Sequence, residues 1–282
     1  MVKLPRVPDT RSIPLSRRQL TIAVVILMLL GGGLWLAFAT RGERAEQAPP
    51  SAAPSGVQPA PGTVNWEGWK LTLPEEGKKG NAAIVEPAAI TPPWLTANED
   101  GSLTFWAPAE GATTENSDHP RTELNSLNNF SAATSGPHTL KASLAVNQVP
   151  EDTQSIIIAQ IHGADDISSV PYVMMHYRDG DLRVVVKQKH KGSDLQSYPL
   201  LTGVPLNERF DLTISDIGNG QMAFSTTYNG QTRQATSPVP DAFEDETVRF
   251  QVGDYQGADK SKGPNDGGKV TFYQISELAT AP

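Results

Sequence analysis

The sequence predicts an all-β protein, an antiparallel β-sandwich preceded by one apolar N-terminal segment and a tether. Three observations carry this prediction. From Val64 onward the chain reads as short apolar or alternating runs between turn signals. None of these runs sustains a 3.6-residue helical period. The 24 glycines and 23 prolines punctuate the runs more than they interrupt them.

The elements follow in chain order. Residues 1–18 are basic, with Lys3, Arg6, Arg11, Arg17 and Arg18 against Asp9. Residues 19–39 form the apolar segment, and Leu20 to Ala39 carry no charge. At ~1.5 Å rise per residue such a helix is ~30 Å long, the thickness of a bilayer core. The positive flank puts the N-terminus in the cytoplasm and the rest outside. This predicts a single-pass anchor in a bacterial inner membrane with the folded domain in the periplasm. Ala37-Phe38-Ala39 and Ser16-Arg17-Arg18-Gln19-Leu20 keep a cleaved export signal open as the alternative. Residues 40–62 are a Pro/Ala/Ser-rich linker that cannot bury a core and reads as a semi-rigid tether.

Residues 63–282 read as the folded domain. Ten strands are predicted, at Trp69 to Leu73, Leu103 to Trp106, His138 to Val146, Ile156 to Gln160, Val173 to Tyr177, Leu182 to Lys187, Phe210 to Ile214, Met222 to Tyr228, Val248 to Val252 and Val270 to Ile275. Arg178-Asp179-Gly180-Asp181 and Asn229-Gly230 are turn signals. Pro150 and Pro171 are placed between strands.

Composition excludes several function classes. There is no cysteine, which removes disulfides, zinc–thiolate sites and thiol nucleophiles. The net charge of −8 is uneven: residues 1–60 hold seven Lys/Arg and three Asp/Glu (+4), and the remainder holds 16 and 28 (−12). An acidic domain argues against general nucleic-acid binding. It leaves room for an anionic ligand where basic residues cluster in a cleft. The five histidines show no metal-ligand spacing, so no metal and no cofactor are expected.

Strand parity picks out the candidate chemistry. Gln160 and His162 project from one face at the end of an apolar run, with Ile157 and Ile161 expected on the other. An amide and an imidazole together can hold a polar group and move a proton beside it. In His119 to Asn125, Arg121, Glu123 and Asn125 share a face, which reads as a guanidinium steadied for a carboxylate. In Val248 to Gln256, Arg249, Gln251, Gly253 and Tyr255 share a face. The loop that follows carries Lys260, Lys262 and Lys269 and reads as a basic lid. Arg183, Lys187 and Lys189 form a positive row that could track a polyanion. Each feature also has a bland reading, as a surface ion pair, a solvated loop or a charged edge.

Taken in order, these motifs resemble one family. Trp69-Lys70-Leu71-Thr72-Leu73-Pro74 resembles its opening strand, and Leu103 to Leu124 its block ending in Arg-Ser/Thr-Glu-Leu. Gln160-Ile161-His162 resembles its Gln-Ile/Val-His signature. Phe250 to Gln256 resembles its Tyr-Phe-Lys-Ala-Gly-x-Tyr-Asn-Gln motif, and Val270 to Tyr273 its closing strand. The family is the alginate lyases of polysaccharide lyase family 7, and the resemblance spans about residues 64–282. It implies a jelly-roll β-sandwich whose concave sheet is the substrate groove. It also implies cleavage of an anionic polysaccharide by β-elimination, in which C5 loses a proton and the O4 glycosidic bond breaks.

The resemblance further implies roles. Arg121 and Gln160 bind the uronate carboxylate, His162 takes or helps take the C5 proton, and Tyr255 protonates O4. Tyr255 serves as both acid and base where the two lie on one side of the sugar. Glu123, Asn125, Lys187, Lys189, Arg249, Gln251, Lys260 and Lys262 are expected as substrate-binding residues. The Ile in Gln-Ile-His implies a preference for guluronate-containing blocks. Departures occur at Asn125 (a second Arg in the family), Arg249 (Tyr), Gln251 (Lys) and Gly257 (Gln). They keep open a lyase for another polyuronate such as glucuronan, a non-catalytic carbohydrate-binding module, and a membrane-anchored envelope protein. A monomer is expected.

Overall fold

The structure, a computed structural model, describes residues 64–279. The predicted anchor, linker and cytoplasmic N-terminus lie outside the described residues. Sixteen strands form two antiparallel sheets. The first contains β1 (Trp69–Glu76), β2 (Ala82–Val85), β5 (Arg121–Ser126), β6 (Phe130–Ser131), β8 (Ser155–Gly163), β9 (Pro171–Arg178), β10 (Asp181–Lys187), β11 (Leu195–Pro199) and β15 (Thr247–Gln256). Its order is β11-β10-β9-β8-β15-β5-β1-β2, with β6 also pairing with β15. The second contains β3 (Leu95–Ala97), β4 (Leu103–Pro108), β7 (His138–Gln148), β12 (Phe210–Asp216), β13 (Gln221–Tyr228), β14 (Gln231–Pro238) and β16 (Gly267–Ala279). Its order is β14-β13-β12-β7-β16-β4-β3. Among the described residues no helix is long and apolar enough to cross a membrane.

Period-two alternation drives the sandwich. Phe210, Leu212 and Ile214 of β12 and Leu103, Phe105 and Ala107 of β4 are buried, with less buried residues between them. All of these but Ala107 join Leu71, Leu124, Ile158, Phe250 and Val252 of the other sheet in one core cluster. Phe105 and Phe272 meet edge to face at 5.2 Å between ring centroids. The Asp179-Gly180 and Asn229-Gly230 turns take positive φ at both residues, as tight hairpins require.

All ten predicted strands lie within observed ones. Two details differ. Pro171 opens β9 instead of lying between strands, a position where a missing N–H costs little. Ile157 is not in the core: register shifts between Ile157 and Ala159, so Ile156, Ile158, Ala159 and Ile161 are the core residues of β8. The bulge leaves Gln160 and His162 on the outer face of the sheet.

Strand β5 is buried along its whole length, polar residues included. A polar strand covered on both faces signals a built network on the outer side. Its neighbour β15 approaches closely at Gly253, opposite Glu123. A Cβ at Gly253 would run into the Thr122 carbonyl oxygen and lie 2.8 Å from Glu123 Cα. Gly253→Ala is therefore expected to destabilise the fold by at least about 1–3 kcal/mol through overpacking. A thermal melt checks this, and an unchanged midpoint would contradict it.

Candidate active site

The outer face of the nine-stranded sheet carries a cleft of about 220 Å³ over β1, β5, β15, β8 and the start of β9. Pairing aligns its floor. Gln251 stands opposite both Asn125 and Gln160, Tyr255 opposite Arg121, and Arg249 opposite His162. Three separate sequence motifs thus meet on adjacent strands. Two loops add walls: Thr114, Glu115 and Asn116 before β5, and Ser168 and Ser169 before β9.

Glu123 anchors the floor. It is fully buried. Its Oε1 accepts a hydrogen bond from Gln160 Nε2 at 2.6 Å, and its Oε2 accepts one from Arg121 Nη1 at 3.3 Å. Burial pushes this carboxyl above its usual range, although Arg121, Gln160 and Arg249 pull the other way. Glu123 is not a residue of the cleft wall, so the expectation that it touches substrate is corrected. It lies beneath the two side chains that do line the cleft, and holds them side by side.

The Arg121 guanidinium lies 3.6 Å above the Tyr255 ring centroid. The Tyr255 hydroxyl is 3.0 Å from Ser117 Oγ, which donates to the His119 carbonyl. The guanidinium is thus held against the face of the Tyr255 ring, and the hydroxyl is held by Ser117. Asn125 lines the cleft while its Nδ2 donates to Thr72 Oγ1 and the Glu123 carbonyl. Arg249 and Gln251 also line it, and Gln251 Oε1 accepts from Gln160 Nε2 at 3.2 Å.

His162 is buried, and its Nδ1 lies 3.1 Å from the Gly163 carbonyl oxygen. A carbonyl only accepts, so the bond places the hydrogen on Nδ1 and leaves the Nε2 lone pair free. Desolvation, helped by Arg121 and Arg249 and opposed by the Gly163 hydrogen bond, pushes His162 down to about 4. The ring is therefore a neutral base at ordinary pH. The acid limb of kcat/KM is expected near this value, well below the usual histidine range, as a pH–rate profile would show. The unfolded chain binds this proton more readily, so stability is complete above the ordinary histidine value of 6.5 and falls as pH drops toward about 4. Thermal melts between those pH values check the sign.

Four predicted binding residues lie elsewhere. Lys187 Nζ donates to the Gly192 carbonyl, and exposed Lys189 pairs with Asp194 at 3.5 Å. Neither lines the cleft, because β10 is two strands beyond β8. Lys260 and Lys262 belong to a loop tied down by carboxylates. Asp152 Oδ2 accepts the Asp259 and Lys260 N–H groups, and Asp266 Oδ2 accepts that of Lys262. Lys262 borders a different surface depression, with Pro108 and Glu110. This basic loop is not a wall of the cleft.

Sequence reading missed Thr72, Ser117, Ser168, Ser169 and the segment Thr114–Asn116. The polar stretch ATTENSDHP directly before Arg121 was the available signal. Among the described residues no cluster of three or more histidines and carboxylates could hold a metal.

Comparison with known proteins matches residues 64–277 to the alginate lyase family model. A search of curated proteins finds no match. The fold is similar to alginate lyase A1-II′, a member of polysaccharide lyase family 7, at 28% identity and TM-score 0.63, covering 77% of this chain and 96% of that one. It is also similar to an alginate lyase from Pseudomonas aeruginosa, at 24% identity and TM-score 0.67, covering 77% and 100%. The alginate lyase from Klebsiella pneumoniae shares the fold at 20% identity and TM-score 0.67, covering 79% and 99%. A two-sheet sandwich with an arginine, an amide, a neutral histidine and a tyrosine on one sheet face, matched over residues 64–277, identifies the chain as a member of the alginate lyase family of polysaccharide lyases.

Proposed function

We propose that the protein depolymerises alginate by β-elimination in this cleft, giving unsaturated oligouronates. The observation that carries this is the placing of Arg121 and Gln160 on one buried carboxylate, with His162 and Tyr255 in the same cleft. A C–H beside a carboxylate is a weak acid, and neutralising the carboxylate lets charge spread into it as the proton departs. Arg121 supplies a planar cationic fork for that group. His162 Nε2 takes the C5 proton, and the Tyr255 hydroxyl gives a proton to O4 as the C4–O4 bond breaks. Where acid and base must lie on one side of the ring, Tyr255 performs both transfers.

Alginate lyase A1-II′ supports the substrate assignment. A tyrosine-to-phenylalanine variant is solved with product (GGG), and a histidine-to-asparagine, tyrosine-to-phenylalanine variant with substrate (GGMG). The cleft of the present chain uses the same two side-chain types. Guluronate-containing blocks are the preferred substrate in this reading, and faster turnover of poly-mannuronate than of poly-guluronate would overturn that preference. The N-terminal segment anchors the domain on the periplasmic side of a bacterial inner membrane. Recovery of the full-length protein in the soluble secreted fraction would overturn the anchor.

The test of the activity is ultraviolet detection of the conjugated C4=C5 product on a panel of polyuronates including alginate and glucuronan. Product from alginate supports the reading. Product only from another polyuronate moves the substrate, and binding without any product makes the protein a carbohydrate-binding module.

A further inference from the structure

The Gln160 amide is turned the wrong way for its task. Both of its N–H hydrogens point inward, to Glu123 Oε1 at 2.6 Å and Gln251 Oε1 at 3.2 Å. Its Oε1 is buried and has no partner among the described residues. Gln160 lines the cleft, but in this orientation its amide N–H groups are spent on Glu123 and Gln251, and none is left for a carboxylate there.

Resting on the lyase reading above, we infer that Glu123 is a positioning residue that acts as a neutral acid in the substrate complex, donating its O–H to Gln160 Oε1 and so turning the Gln160 Nε2 toward the substrate carboxylate. The exchange balances. Glu123 takes one proton from solvent as substrate enters and returns it on product release. Gln251 turns with it, so that its Nε2 donates to Gln160 Oε1. That oxygen then accepts two hydrogen bonds and is no longer orphaned.

Three observations favour this. At 2.6 Å the Glu123 carboxyl is within hydrogen-bond reach of whichever end of the Gln160 amide faces it. Glu123 is fully buried, where desolvation favours the neutral carboxyl. An arriving carboxylate adds a like charge and draws on Arg121, the nearest cation. The charged groups around Glu123 are Arg121 on its own strand and Arg249 and Asp254 on β15. β1 opposes it with uncharged Thr72, and β8 contributes Gln160 and His162, the latter neutral above about 4.

The test compares wild type with Glu123→Gln and Glu123→Ala. An amide at 123 mimics the neutral acid, because its NH2 donates to Gln160 Oε1 and does not titrate. The expected result is an alkaline limb in the wild-type kcat profile that moves to higher pH in Glu123→Gln, where only Tyr255 is left to lose its proton, with Glu123→Ala lower in kcat by about 10²-fold or more, the cost of a lost donor. Calorimetry of the Tyr255→Phe protein with an alginate tetrasaccharide in buffers of different ionisation enthalpy should show proton uptake. That uptake should vanish when Glu123→Gln is added. An unchanged alkaline limb in Glu123→Gln, or binding without proton uptake, overturns the inference while leaving the lyase reading intact. Wild-type protein that forms no product from any polyuronate sinks both.

Discussion

Tyr255→Phe is expected to lower kcat on alginate by about 10²–10⁴-fold, the usual worth of a positioned acid–base group, with fold and substrate binding retained. The substitution removes one oxygen and keeps the ring on which Arg121 rests at 3.6 Å. The oxygen removed is the one held 3.0 Å from Ser117 Oγ. Without it no proton reaches O4 as the glycosidic bond breaks. Single-turnover kinetics, with tetrasaccharide binding and a thermal melt on the same preparation, check the separation of chemistry from binding. A variant with near wild-type kcat would remove Tyr255 from the proton path.

Arg121→Ala is expected to be more damaging, because it strikes both the chemistry and the fold. A donor aimed at developing negative charge is worth about 3–4 kcal/mol in the transition state, or roughly 10²–10³-fold in rate. The arginine is also the ion-pair partner of fully buried Glu123. Removing one member of a buried pair typically costs about 3–5 kcal/mol of stability. Arg121→Lys should fall between wild type and alanine: it restores charge without the planar fork. Measured kcat/KM together with melting midpoints for the two variants checks this ordering. An alanine variant that keeps its midpoint would show that Glu123 does not depend on Arg121.

Much of this was legible in the chain because a strand has a period of two. Parity alone put Arg121 with Asn125, Gln160 with His162, and Arg249 with Gln251 and Tyr255, and each set lines the cleft. The unpredicted strands were short, like β2, β3 and β6, or polar, like LQSYP in β11 and QTRQATSP in β14, where one side faces water and alternation is weak. Strand β5 was legible only through its motif, since its outer polar residues are buried by a network that the sequence does not display. The bulge at Ile157–Ala159 also has no local signature, being set by how β8 meets β9.

The lysines show the limit most clearly. Lys187, Lys189, Lys260 and Lys262 have the right charge for a polyuronate. Charge in a linear pattern does not say which strand lies beside which, and these four end outside the cleft. The alternating strands, the acidic cysteine-free composition and the chemical types that an elimination site needs can all be read along the chain. Which of those groups share a surface depends on sheet order, which sets Tyr255 beside Arg121, more than a hundred positions away in the chain. Burial did the rest: it made Glu123 the hidden support of Arg121 and Gln160, and it kept His162 a neutral base.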